Sequence, residues 1–162
     1  SIPAAVGGFS INSLYKNFDL SALFNFSFGS YIYDSVYASL MNGFETAARQ
    51  GHPDLEKRWR KPGDITDIPL FMNGQNDFNS ESTRFLFKND YIRLRALNIG
   101  YNFNQDWIDN LNLKKLRIFF QGDNIFTYQS HKGIDPEQAL SGQTDNRSHQ
   151  MKTYALGVNI QL

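Results

Sequence analysis

The sequence predicts an all-β fold in which antiparallel strands form the C-terminal part of a large transmembrane β-barrel, with long extracellular loops and one short loop helix. Three observations predict it. Apolar and polar residues alternate with period two over several segments, the connections between those segments alternate in length, and nothing in the chain offers a second layer to cover the aromatic face that results.

Phe9 to Tyr15 alternates weakly and reads as a first strand, followed by a tight turn at Lys16-Asn17. From Asp19 to Gly29, Leu20, Ala22, Phe24, Phe26 and Phe28 fall on one face and Ser21, Leu23, Asn25, Ser27 and Gly29 on the other. A very long connection then runs from Tyr33 to Asp90. Within it Val36, Tyr37, Leu40, Met41, Phe44, Ala47 and Ala48 recur at helical spacing and Gly51 offers a C-terminal cap, which predicts the short helix. Pro53, Pro62-Gly63-Asp64, Pro69 and the polar stretch from Asn73 to Ser82 mark the remainder as turn-rich loop.

The next strand starts near Tyr91. Leu97, Ile99, Tyr101 and Phe103 alternate with Asn98, Gly100 and Asn102, whereas Tyr91 to Ala96 has the opposite parity, which fits either a bulge or a segment rising above the apolar zone. A moderate connection from Asn104 to Lys114 leads to Lys115–Phe120, where Leu116, Ile118 and Phe120 oppose Arg117, Phe119 and Gln121. After a second long connection, from Gln129 to Gln150, the last strand puts Tyr154, Leu156, Val158, Ile160 and Leu162 on one face, with Thr153, Ala155, Gly157, Asn159 and Gln161 on the other. About five strands result, whereas a membrane barrel takes eight or more, so the sheet needs further strands of the same polypeptide or lipid beside it. Short turns then belong to the periplasmic side and long loops to the outside. Tyr101, Phe103 and Trp107 at one end, and Tyr31, Tyr33, Phe126 and Tyr128 at the other, suit two interfacial girdles.

Composition excludes several functions. The 162 residues carry 16 basic and 16 acidic side chains, which leaves no electrostatic footprint for nucleic acid. There is no cysteine, hence no disulfide framework and no thiolate site. No signal peptide is visible at Ser1–Val6, and no run approaches the roughly 20 apolar residues of a spanning helix.

Five runs stand out: Arg58-Trp59 with Pro62-Gly63-Asp64-Ile65-Thr66-Asp67-Ile68-Pro69; Asp90-Tyr91-Ile92-Arg93-Leu94-Arg95 with Leu97-Asn98-Ile99-Gly100-Tyr101; Leu116-Arg117-Ile118 through Gly122-Asp123-Asn124-Ile125-Phe126-Thr127; Gly133-Ile134-Asp135-Pro136-Glu137; and Thr153 to Asn159. Together they resemble the SusC/RagA family of TonB-dependent outer-membrane transporters. Their order and spacing extend the resemblance over essentially the whole chain. It implies that residues 1–162 are the C-terminal segment of a 22-stranded barrel with an N-terminal plug. The parent would import glycans, oligosaccharides or peptides with a SusD-like surface lipoprotein, powered through TonB, and would be surrounded by outer-membrane lipid. It implies no enzyme activity and no cofactor. Neither plug nor TonB-contacting segment lies in these residues, and Leu162 stands where the family usually ends in an aromatic residue, often Phe.

Candidate sites follow from the same placement. Trp59, Tyr91, Arg93 and Arg95 would line the extracellular mouth, where aromatic planes and guanidinium donors suit a sugar or peptide ligand or contact with the lid. Trp59 could equally anchor its loop, and the two arginines could pair with acidic residues of neighbouring strands or the plug. Tyr154, Leu156, Val158, Ile160 and Leu162 mark the barrel-closing strand. Asp54, Glu56, Asp64 and Asp67 match no calcium-loop spacing, and Asp64 reads as the cap of the Pro62-Gly63 turn. His52, His131 and His149 have neither metal spacing nor a nucleophile beside them and read as loop residues. Gly133 to Glu137 reads as a structured turn. The competing reading of another class is a soluble all-β carbohydrate-binding module with Trp59 and tyrosines as its platform.

Overall fold

A computed structural model of the protein describes residues 2–41, 51–70, 80–109, 112–137, 142–143 and 148–162. In chain order the elements are β1 (Ala5–Tyr15), β2 (Phe18–Phe28), β3 (Tyr31–Tyr33), α1 (Ser35–Leu40), β4 (Leu86–Lys88), β5 (Tyr91–Asn102), α2 (Gln105–Ile108), β6 (Lys115–Gln129) and β7 (Thr153–Gln161), with 3-10 turns at Pro53–Lys57 and Thr83–Phe85. They divide into a sheet unit (Ile2–Ser30, Asn89–Pro136, Ser148–Leu162) and a loop unit built from Tyr31–Lys88 and Glu137–Arg147.

The sheet unit is a five-stranded antiparallel meander in the order β1-β2-β5-β6-β7. Its register carries the sequence alternation across all the strands. Phe9 pairs Phe24, which pairs Leu94, which pairs Phe126. One step lower, Ile11, Ala22, Leu97, Gly122 and Tyr154 form a row, and then Ser13, Leu20, Ile99, Phe120 and Leu156. These rows hold no charge. Leu156 is 81% exposed, as are Val158, Ile160, Tyr154 and Phe126 to lesser extents. A contiguous exposed apolar face of this kind marks a surface made for another apolar phase. From Ile92 to Tyr101, β5 rises about 30 Å at roughly 3.3 Å per residue, which at a tilt of roughly 40° spans about 23 Å, close to the ~25 Å apolar band of a membrane barrel.

The opposite face is polar and internally bonded. Arg117 on β6 donates from Nε and Nη2 to Asp19 on β2, at 3.0 and 2.5 Å, and from Nη2 to Asn98 Oδ1 at 3.1 Å, while Asn102 donates to Asp19 at 2.8 Å. The guanidinium passes over Gly100 of the intervening strand, where an added Cβ would lie 2.3 Å from Nη2. Phe119 likewise lies over its partner Gly157, with Cζ 2.3 Å from where a Cβ would stand, and the Arg117 guanidinium sits 5.0 Å from the Phe119 ring.

The parity change in β5 is a bulge. Leu23 and Phe24 pair Ala96 and Leu94, so Arg95 is the extra residue, and β6 yields opposite it at Asn124, whose φ is +53°. Above the bulge Ile92 and Leu94 face outward and Tyr91 and Arg93 inward, the reverse of a continued alternation. The same irregularity hides the upper part of β6, which runs on to Gln129 where the alternation alone ends near Phe120. β1 likewise begins at Ala5 and not at Phe9. β7 ends at Gln161, opposite the first residue of β6, so Leu162 lies just beyond the paired strand.

The loop unit has a small core of its own. Ala38, Met41, Leu55, Ile68 and Phe85 are buried together, with Tyr33 and Tyr37 packed against them. Tyr33 packs on this cluster, 6.2 Å from Phe85. β3 and β4 pair as a short ribbon that the sequence pattern did not indicate. Helix α1 is capped by Asp34, whose carboxylate accepts from Tyr37 N at 2.8 Å, and ends at Met41; Phe44, Ala47 and Ala48, which lead to the expected cap at Gly51, lie outside the described residues.

Candidate functional site

Tyr91, Arg93 and Arg95 all lie on the upper part of β5, and the structure joins two of them into one polar network. Arg93 donates from Nη2 to Asp135 Oδ1 at 2.9 Å and from Nε to Thr127 Oγ1 at 3.1 Å. The two charged side chains are only 4% and 5% exposed. Burial of charge on this scale is tolerated only when both partners are satisfied. Asp135 meets that condition, because its Oδ2 accepts from Gln150 N at 2.9 Å. The Gln150 side chain in turn accepts from Arg95 Nη1, which also reaches Asn124 Oδ1 at 3.4 Å. Tyr91 is buried at 9% exposure beside its register partner Ser27.

Residues 130–136 fold tightly against the same end of the sheet. Gln129 Nε2 donates to the carbonyls of His131 and Ile134 at 2.8 and 3.0 Å, Asn89 Nδ2 donates to Pro136 O at 2.9 Å, and Ser130 exchanges two bonds with Asp90. Gly133 has φ +103°, which lets the chain reverse so that Ile134, Asp135 and Pro136 turn inward and become buried. The structured turn expected at Gly133–Glu137 is therefore present. Its Asp135 is the partner of Arg93, an assignment that the separation of 42 residues kept out of reach of the sequence alone.

Trp59 lies in the loop unit. Its N–H donates to Ile68 O at 2.8 Å, which ties it to the buried cluster, while its side chain is partly exposed. The turn beyond it is capped as expected by Asp64, whose Oδ2 accepts from Arg60 N and Lys61 N at 2.9 and 3.1 Å. His52 is more constrained than a loose loop residue. Its Nδ1 caps the Pro53–Lys57 turn by accepting from Asp54 N at 3.2 Å, and its ring stacks edge-on against Tyr37 at 4.7 Å. The Asp54 carboxyl is held below its ordinary pKa by the Lys57 ammonium 2.7 Å away and, less strongly, by the Tyr37 hydroxyl, with burial working in the opposite direction. Burial, and then the bond to Asp54, push Tyr37 above its ordinary value. Among the described residues no group of three or more His, Asp or Glu side chains converges as a metal site.

Tyr154, Leu156, Val158 and Ile160 share the outward face of β7, whose second edge pairs with no other strand among the described residues. The same is true of the outer edge of β1. Such edges demand pairing or cover.

No family model matches the chain. Two TonB-dependent receptors of Formosa agariphila align with it, one 32% identical over 139 residues (84% of this chain, 13% of the receptor) and one 26% identical over 164 residues (94% and 16%). TonB-dependent receptor SusC of Bacteroides thetaiotaomicron is 25% identical over 160 residues, or 95% of this chain and 15% of SusC. Among solved structures, the RagAB peptide importer in its closed-closed state shares the fold with a TM-score of 0.81 at 24% identity, over 98% of this chain and 17% of its counterpart. The chain thus spans about one seventh of the length of these curated relatives, a proportion that fits a C-terminal segment. The meander, its charge-free aromatic face and these alignments agree that the chain is a β-barrel segment of the SusC/RagA family of TonB-dependent receptors.

Proposed function

We propose that residues 1–162 are the C-terminal wall, mouth and closing strand of an outer-membrane TonB-dependent nutrient importer. The observation that carries this reading is the division of the sheet into two faces. One is free of charge and suited to lipid; the other is lined by Arg117, Asp19, Asn98, Gln121 and Arg93 and suited to a wet lumen. β7 would close the barrel by pairing its second edge with the first strand, and Tyr154, Leu156, Val158 and Ile160 would continue the lipid-facing band, with Leu162 at its lower rim. Plug, TonB-contacting segment and the remaining strands belong to the rest of the polypeptide. The partner outside would be a SusD-like lipoprotein, and the cargo a glycan, oligosaccharide or peptide. The RagAB importer, by its name a peptide carrier, supports that class of cargo.

In this reading the segment performs no chemistry. It supplies wall and mouth; in the loop unit the partly exposed Trp59, and in the sheet unit the partly exposed Arg95 beside the buried Tyr91 and Arg93, are the side chains we assign to ligand or lid contact. Two measurements test it on the full-length protein. Extraction from membranes should require detergent, and uptake of labelled cargo should collapse when TonB is deleted. Release by a salt wash alone would instead point to a soluble binding module.

A further inference from the structure

We propose that Arg93 and Asp135 are positioning residues that clamp the base of the last long loop, residues 130–136, as a fixed ledge on the inward side of the barrel mouth. The inward side is the lumen only in the transporter reading above, on which this assignment rests.

The ledge is held from four directions. Arg93 on β5 grips Asp135 Oδ1, Gln150 on the returning arm of the loop grips Oδ2, Gln129 at the end of β6 holds the carbonyls of His131 and Ile134, and Asn89 ahead of β5 holds Pro136 O. One carboxylate therefore ties the outgoing and the returning arm of the same loop to the wall. The geometry of Arg93 suits this task better than ligand binding. Two of its nitrogens are committed to Thr127 and Asp135, and the side chain is 4% exposed within this segment alone, before plug, cargo or lid is added. A group meant to meet cargo would be left open to it. Arg95 extends the clamp through the side chain of Gln150 and the bulge partner Asn124. The bulge is what allows this, because it turns Arg93 to the inward face while Leu94 remains in the apolar row. The consequence for transport is a mouth with one immobile border. The root of the loop, residues 130–136, stays in place.

The test uses the full-length protein in outer membranes, with trypsin as the probe and the Lys132–Gly133 bond, at the exposed tip of the ledge, as the site read by mass spectrometry. Cleavage after Lys57 in the loop unit is the internal control, and heat-modifiable migration on gels reports that the barrel has folded. Wild-type protein should resist cleavage after Lys132. Arg93→Gln should be cut there at least about tenfold faster with the Lys57 site unchanged, because proteolysis follows the population of the locally opened state. Arg93→Lys, which keeps the charge but not the paired geometry, should fall in between. If Arg93→Gln fails to fold, Asp135→Asn and Gln150→Pro, which weaken the other half of the clamp, should expose the same bond. Resistance of Lys132 in the folded variants would overturn the clamp, and resistance combined with lost uptake would make Arg93 a ligand contact. Absence of TonB-dependent uptake in the wild type would instead sink the transporter reading while the cleavage pattern still decides the clamp.

Discussion

Arg117 and Asp19 are bonded to each other across β5, a strand to which neither belongs, and the space for that crossing exists because residue 100 has no side chain. Three strands are thereby locked in one register by a single ion pair. Replacing Gly100 with Ala forces the guanidinium away from its partner, so Gly100→Ala should cost about 1–3 kcal/mol, the scale of hydrogen bonds to charged groups. Arg117→Ala should cost a similar amount, and the double variant little more than either alone, since both remove the same contact. Unfolding midpoints of the full-length barrel, read by heat-modifiable gel migration, would test this. Additive losses would show that Gly100 serves some other purpose.

The two faces of β7 make a paired prediction. Leu156 lies in the outward row and Ala155 beside it faces the polar side. Leu156→Arg should lower barrel stability by roughly 2–4 kcal/mol, the cost of a lipid-facing arginine near the midplane, while Ala155→Arg should cost well under half of that. Refolding yield into lipid bilayers measures the difference.

Acid should loosen the loop unit. Lys57, and then Tyr37, hold the Asp54 carboxyl below the usual carboxylate range. A depressed folded-state pKa means that the stabilisation is complete above the unfolded value and is lost as the pH falls through the lower folded value. Protease resistance of the loop should therefore hold at neutral pH and decline below about pH 4, and Asp54→Asn should be weaker at neutral pH and flat across that range. An unchanged acid response in Asp54→Asn would assign the titration to another group.

Asp64 accepts from two backbone N–H groups in the turn after Trp59. Asp64→Ala leaves both without that acceptor, for a loss of about 1–2 kcal/mol local to the loop. Faster amide exchange at Arg60 and Lys61, with the sheet unaffected, is the expected signature.

The sheet was legible because its alternation records a solvent difference at every second residue. The unbroken pattern from Thr153 onward locates β7 to within a residue, and the parity change before Leu97 offers the bulge as one of two readings, the other being a segment above the apolar zone. What stayed hidden depends on contacts distant in sequence. Nothing local marks Asp135 as the partner of Arg93 or Asp19 as that of Arg117, since an aspartate in a turn looks the same whether it faces water or a buried guanidinium. The β3–β4 ribbon was also missed, because three-residue strands are too short to show a period. The packing of Tyr33 against Phe85 is hidden too, since the two residues stand far apart in the chain.

The extra residue at Arg95 divides β5 into two reading frames. Below it, odd-numbered positions such as Leu97, Ile99 and Tyr101 face outward; above it the even-numbered Ile92 and Leu94 do. Loss of this one residue would leave 91–94 on the faces they already occupy and merge the two frames into one alternation. Straightening the strand with Arg95 retained would instead turn Arg93 and Tyr91 out toward the apolar side and Ile92 and Leu94 in, so every position from 91 to 94 would have to be rewritten at once. The bulge thus lets the strand carry one more residue than its neighbour β2 without any change of face on either side of it.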